Sequence, residues 1–106
     1  MSKYIIIFCT IGTHDQAQKL AKPLVEKKLA ACVNIIPGLT SIYKWKGELY
    51  NETECLMIIK TKKNLFEDIK TEILSLHPYD LPEIVSLPID KGLPGYLDWI
   101  RNNTKA

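Results

Sequence analysis

The sequence predicts an α+β domain of βαββαβ order with one further helix at its C-terminal end. Three observations predict it. Four apolar, β-branched runs stand near residues 4–10, 31–45, 49–60 and 83–87, the composition that suits strands. Two stripes of apolar residues at i, i+3, i+4 and i+7 fall between the first and second runs and between the third and fourth, which is the period of an amphipathic helix. The chain has 106 residues, 46% of them hydrophobic and 25% charged. That is enough for one core and one domain, read here as residues 1–106, and too apolar and too nearly neutral for disorder.

The elements follow in order. Residues 4–10 are apolar at consecutive positions, as in a strand covered on both faces or a central strand with helices over one. Gly12 breaks the run, and Thr13 with Gln16 has capping-box spacing. Ala17, Leu20, Ala21, Leu24, Val25 and Leu29 then mark a first helix over about 14–28,. Pro23 lies on the polar side of that stripe, and an interior Pro costs a helix about 3 kcal/mol. The stripe continues past it, so the helix is kept and a bend is expected there. Residues 31–36 read as a strand, Pro37-Gly38 as a bulge or bend, and residues 40–45 as renewed extension. Lys46-Gly47-Glu48 makes a turn, and the chain returns through 49–52 into a strand over 55–60. Asn64 and Glu67 give a second capping signature before a helix over about 65–76, ended by His77-Pro78. Glu83–Leu87 is the fourth strand, stopped by Pro88. Tyr96, Leu97, Trp99 and Ile100 suggest a short last helix, after which the tail 102–106 is expected to fray.

This order is the split βαβ, ferredoxin-like unit, in which right-handed crossovers place both helices on one face of an antiparallel sheet. The strand lengths do not match. The first strand spans about 20 Å, while the hairpin formed by the second and third runs is roughly twice as long. Its far half, residues 40–52, carries Ile42, Tyr43, Trp45, Leu49 and Tyr50 with no helix left to cover it. An isolated two-stranded ribbon is marginal in water, and its open edges invite pairing. A closed homo-oligomer in which each arm joins a neighbour's sheet resolves this, as does an arm curled back on its own domain.

Fourteen Lys and Arg against twelve Asp and Glu leave a net charge of +2, too little for a general grip on nucleic acid or anionic lipid. Arg101 is the only Arg, which further weakens a nucleic-acid reading. Lys44-Trp45-Lys46 interleaves cation and aromatic as single-strand binders do, but one such triplet is better explained by a Trp at a subunit contact with solvated flanking lysines. No apolar run approaches the roughly 18 residues that span a membrane, and residues 4–9 are too short for a signal h-region. Three cysteines, an odd number, fit reduced thiols and a cytoplasmic setting.

Motifs of strong chemistry are absent: there is no Cys-x-x-Cys, His-Glu-x-x-His, Gly-x-Gly-x-x-Gly, P-loop or nucleophile elbow. Soft and borderline ligands remain at Cys9, Cys32 and His77, with Cys55, Met57 and His14 outside that set. Thiolate and imidazole select copper or zinc over magnesium and calcium. Cys9 ends one strand, Cys32 opens another, and His77 ends a helix, so a sheet rim could gather them; buried thiols also serve simply as small hydrophobes. His77-Pro-Tyr-Asp-Leu-Pro82 is a stiff loop carrying an imidazole, a phenol and a carboxylate, followed by Glu83. Such loops carry function more often than core, and a helix C-cap accounts for the imidazole equally well.

Four blocks resemble one family. Lys28-Leu-Ala-Ala-Cys-Val-Asn-Ile-Ile-Pro-Gly38, Ser41-Ile-Tyr-Lys-Trp-Lys-Gly47, Ile58-Ile-Lys-Thr61 and His77-Pro-Tyr-Asp-Leu-Pro-Glu83 are similar to the CutA divalent-cation tolerance proteins, over about residues 4–101. The resemblance implies a ferredoxin-like subunit in a compact homotrimer, close in architecture to the PII signalling proteins. It implies a role in tolerance of copper and other divalent metals, with Cys9, Cys32 and His77 at the positions of the family's proposed copper ligands. It supplies no reaction, so the chain is read as a non-enzyme with copper as its expected metal and other divalent cations open. A second reading is a PII-like signalling or scaffold trimer whose inter-subunit clefts, lined by Trp45, Lys60, Tyr79, Glu83 and Trp99, take a small anion, another small ligand or a partner protein. A third, acid-base catalysis by His77 with Asp80 or Glu83, lacks a nucleophile and a pocket.

Overall fold

The computed structural model describes residues 2–106. Its elements are β1 (Tyr4–Ile11), α1 (His14–Glu26), β2 (Cys32–Trp45), β3 (Glu48–Lys62), α2 (Phe66–Leu76), β4 (Val85–Pro88) and α3 (Pro94–Asn102). The four strands form one antiparallel sheet in the order β2-β3-β1-β4, the ferredoxin-like arrangement expected from the element order.

Alternation along β1 decides how the sheet is used. Ile5, Ile7, Cys9 and Ile11 are buried, and the residues between them are only partly so. The buried set packs with Ala17, Leu20, Ala21 and Leu24 of α1, Ile69 and Ile73 of α2, and Met57 and Ile59 of β3. Fully burying an Ile or Leu contributes about 1.5–3 kcal/mol, so this layer is the main source of cohesion. The opposite face has no helical layer. Register puts Ile6 beside Leu87 and Phe8 beside Val85, and Ile58 and Leu56 next to Phe8 and Thr10. These side chains share that uncovered face, because directly paired residues point the same way. Val85 and Leu87 are each half exposed.

The long hairpin is as expected. β1 stops pairing with β3 at Ile11–Cys55, while β2 and β3 continue together from Leu39–Glu54 to Trp45–Glu48. The arm leaves Ile42 and Leu49 exposed and draws the molecule out to 44 Å against 25 and 22 Å across. Pro37-Gly38 falls at a break in register between Ile36 and Leu39, with Gly38 at φ +77°. At the arm's tip Lys46 and Gly47 both have positive φ, 52° and 83°. A two-residue hairpin turn needs that geometry to match the strands' twist.

Thr13 caps α1, accepting a 3.1 Å hydrogen bond from the Gln16 N–H, and the helix runs through Pro23. Three local expectations fail. Asn64 does not cap α2: a 3-10 turn at Lys63–Leu65 intervenes, and the residue before the helix is Leu65, which has no side-chain oxygen. β4 starts at Val85, two residues later than expected, and includes Pro88, paired with Ile5. It is an edge strand, where a residue without an N–H is tolerated. The tail is tied down rather than frayed. The Thr104 hydroxyl donates to the Ile100 carbonyl at 2.9 Å, the Lys105 N–H donates to the Lys28 carbonyl at 2.8 Å, and the Lys62 ammonium donates to the Lys105 carbonyl at 2.7 Å.

Ile7→Ala should lower the unfolding free energy by about 2–5 kcal/mol. Thr104→Ala should lower it by about 1 kcal/mol through the lost hydroxyl bonds. Denaturant melts of both variants beside the parent check the ranking; equal effects would mean that the helix-facing layer is not the dominant core.

Candidate functional site

The register separates two of the three metal-ligand candidates. Cys9 pairs with Met57, which pairs with Ile35, so it belongs to the helix-covered face. Cys32 pairs with Lys60, which pairs with Ile6, so it belongs to the open face. The two backbone positions lie two strands and three residues apart, on the order of 14 Å, with the sheet between the thiols. Cys9 is fully buried in the core, and its thiol is pushed up to about 12, first by burial and then by the negative charges of Glu83 and Glu54. A proton held that firmly disfavours the thiolate that binds metals. Cys32 is partly exposed at the start of edge strand β2, with its thiol 3.7 Å from the Asn34 side-chain oxygen.

His77 is buried and fully engaged. Its Nε2 lies 2.8 Å from the Thr10 carbonyl, which can only accept, so Nε2 carries the proton. Its Nδ1 accepts from the Tyr79 N–H at 3.1 Å. The ring is therefore a neutral imidazole with both nitrogens used, its edge against the Tyr79 ring at 4.6 Å. It pins the stiff loop to the end of β1. The helix-capping bond at this position comes from the His77 backbone N–H to Ile73 instead. Cys55 and Met57 are core and His14 is exposed. Among the described residues, no three His, Cys, Asp or Glu side chains of one chain gather as a metal set.

The five cleft candidates divide into two groups. Trp45, Tyr79 and Glu83 line a cavity of about 640 Å³ between the hairpin arm and the stiff loop. Lys60 and Trp99 do not reach it. The Lys60 ammonium sits 3.3 Å from the Tyr96 hydroxyl and 5.6 Å from the centre of that ring, and Tyr96 stacks on Trp99. Without Lys60 the cavity has no basic side chain in its lining, which instead holds Glu52, Glu54, Asp80 and Glu83. A small anion therefore does not suit it.

Glu52, Glu54, Tyr43 and Tyr50 were missed in the sequence. The signal was present in Asn51-Glu-Thr-Glu54, where two carboxylates at alternate strand positions must share a face. Each is held by a phenol. The Tyr79 hydroxyl donates to Glu54 at 2.6 Å, and the Tyr43 hydroxyl donates to Glu52. Tyr43 also stacks on its cross-strand partner Tyr50 at 5.3 Å. The Tyr79 phenol is raised far above its ordinary value by burial and then by its bond to Glu54. Tyr43 is raised to about 12, chiefly by its bond to Glu52.

These features define a ferredoxin-like α+β subunit with an open apolar sheet face, a protruding arm and an acidic, aromatic cleft. The pattern of the family "CutA1 divalent ion tolerance protein" matches residues 5–103, and the chain belongs to that family. It is 50% identical over 99 residues to the divalent-cation tolerance protein CutA of Thermus thermophilus, covering 93% of this chain and 96% of that one. It is 42% identical to the chloroplastic CutA of Arabidopsis thaliana over 95% of this chain, but spans only 56% of that protein's length. The solved Thermus thermophilus structure superposes with a TM-score of 0.93 at 48% identity, over 96% of this chain and 99% of that one. A CutA structure from Archaeoglobus fulgidus, described as periplasmic, matches at 39% identity and a TM-score of 0.93, over 96% and 99% of the two chains. The family bears the name of a tolerance protein, not of an enzyme. No helix among the described residues is long and apolar enough to cross a membrane.

Tyr79→Phe should cost about 1–3 kcal/mol, because it removes the donor to buried Glu54. Raised phenol pKa values set the pH dependence: their contribution is complete below about pH 10 and is lost as pH climbs through the raised values. Stability measured from pH 8 to 12 should fall less steeply above pH 10 in the variant than in the parent; parallel curves would show that this phenol is not the group responsible.

Proposed function

We propose that this chain, folded as one CutA-like domain over residues 1–106, is a cytoplasmic, homotrimeric divalent-metal tolerance protein without catalytic activity, and that it engages copper or a similar cation through the Cys32 thiol. Membership of the CutA1 family supports the tolerance role. The uncovered apolar face and the unsheltered arm support assembly: a sheet surface carrying Ile6, Phe8, Leu56, Ile58, Val85 and Leu87 gains by being covered, and a few hundred Å² of continuous apolar surface on a lone subunit is the mark of an interface. Three copies, rather than two or four, come from the family likeness.

The observation that carries the metal reading is the partly exposed Cys32 on the open sheet face. A thiol is a soft ligand that favours copper or zinc. One thiol is not a coordination set, and Cys9 and His77 do not complete it within one protomer. The remaining ligands in this proposal come from other copies. Cys9 and His77 stay in it as residues that tune the loop and the rim beside the cleft; direct ligation by either requires a buried thiol to ionise or an imidazole to give up a hydrogen bond.

A second reading, a PII-like trimer that binds a small ligand at its clefts, is favoured by the 640 Å³ cavity. The decisive measurement for the first is calorimetric titration of parent, Cys32→Ser and Cys9→Ser proteins with Cu(I) and Cu(II), with native mass recorded alongside. The expected result is a 36 kDa-class particle, about three times one chain, whose copper affinity falls at least about tenfold in Cys32→Ser and holds in Cys9→Ser. Unchanged affinity in Cys32→Ser would remove copper from that thiol; a lone 12.1 kDa particle would remove the trimer.

A further inference from the structure

We infer that His77 is a positioning residue for the hairpin arm: acting through Tyr79 and Glu54, it fixes the direction in which the arm leaves the domain, and with it the fit of the arm against another copy. The inference rests on the assembly reading above and gives that reading a controlling residue.

The arm is a lever with one root. Its last rung shared with β1 is Ile11–Cys55, and its first free rung is Leu39–Glu54. Beside that rung, between Ile36 and Leu39, β2 breaks register, with Gly38 at φ +77°. A break of this kind bends and twists the strand that carries it. From there the two strands run alone to Trp45–Glu48. The free length is about 20 Å, so a turn of about 10° at the root carries the tip about 3 Å.

One tie crosses that root. Beyond the strand ladder, and among the described residues, a single hydrogen bond joins residues 39–54 to the rest of the chain: the Tyr79 hydroxyl donates to Glu54 at 2.6 Å. Glu54 is only 4% exposed. A carboxylate so buried holds to the donor it has, because losing it leaves a charge with neither water nor partner. The tie therefore sits at the first free rung, where a small displacement has the largest effect on the tip.

The phenol does not aim itself. Tyr79 stands in a loop outside any helix or strand and is only partly buried. Its place comes from His77. The Tyr79 N–H donates to Nδ1 at 3.1 Å, the two rings meet edge to face with centres 4.6 Å apart, and Pro78 between them has its φ fixed by its own ring. The imidazole in turn is anchored on the sheet. Its Nε2–H donates to the Thr10 carbonyl at 2.8 Å, and Thr10 lies on β1, an interior strand, one rung before Ile11–Cys55. Carbonyl, imidazole, phenol and carboxylate form a contiguous chain from the end of β1 to the root of the arm, the kind of path along which position is coupled. A ring nitrogen given to a metal would break one of these bonds and free the phenol. Bracing and ligation therefore exclude each other at this residue.

The experiment uses the two tryptophans of the chain, Trp45 at the arm's tip and Trp99 on α3. Intact protein made with fluorotryptophan gives one fluorine NMR line for each, assigned through Trp45→Phe. The variants are Tyr79→Phe, His77→Phe, which keeps a flat ring without either nitrogen, and the two combined. Spectra are taken at a concentration where native mass equals the parent's. Each protein is then diluted, with native mass and circular dichroism recorded. Each single variant should move or broaden the Trp45 line and leave the Trp99 line in place. Each should raise the concentration at which copies dissociate at least about tenfold, with the separated chains still folded. The double variant should be no worse than the stronger single, because both cut the same chain of contacts. An unmoved Trp45 line in Tyr79→Phe overturns the proposal, as do additive effects in the double variant, or both lines moving together with loss of native dichroism. Tyr79→Phe decides alone if His77→Phe does not fold. His77→Phe that keeps the parent's Trp45 line but loses copper affinity about tenfold would show a ligand in place of a brace, and would also overturn it. A parent that is a lone chain at every dilution would overturn the trimer and the fit against another copy; the Trp45 line then decides whether His77 aims the arm.

Discussion

The two-residue alternation of β1, locked in register between β3 and β4, is the constraint on which the rest depends. Odd positions from Ile5 to Ile11 face α1 and α2 and are buried; even positions face away. A one-residue slip would exchange the faces, placing Ile6 and Phe8 under the helices and turning Cys9 outward. The chemistry obeys the same alternation. Cys9 is committed to the core by parity, and Cys32 to the open face by its pairing with Lys60. Two thiols that look interchangeable in the sequence are different objects in the fold: one a packed, protonated small hydrophobe, the other reachable from outside.

The fold was largely legible because hydrophobic period, turn residues and strand length all pointed one way. The Pro37-Gly38 bulge, the helix carried past Pro23, the stop at His77-Pro78 and the overlong hairpin followed from local chemistry. The failures were also local. Asn64 has the right spacing to cap a helix, but spacing does not reveal that a 3-10 turn will use those residues first. The tail has no apolar run to announce its docking; it is held by Thr104 and by backbone groups bonding to Lys28 and Lys62, contacts that depend on where α3 lands.

The site was less legible, for a different reason. A list of ligand-type residues carries no information on which face each occupies until the register is known. Trp45, Tyr79 and Glu83 share the cleft, but Lys60 lies with Tyr96 and Trp99 elsewhere. Without that one cation the charged side chains of the lining are all carboxylates, Glu52, Glu54, Asp80 and Glu83. His77, a candidate for ligation or acid-base work, is a brace: its two ring nitrogens join the end of β1 to the start of the loop that carries Tyr79. That loop delivers its phenol to Glu54 on the arm, so one continuous set of hydrogen bonds runs from β1 through the imidazole to the base of the hairpin.

Pro88, opposite Ile5 at the outer margin of β4, bears on how copies of this chain can meet. A ladder extended from that margin would reach, within the four residues of β4, a position with no amide hydrogen to share. Exposed sheet margins otherwise act as templates for endless stacking. A chain with so much open apolar surface has reason to guard against fibrous growth, and an imino acid placed at that rung ends the row of donors and works against open-ended strand addition.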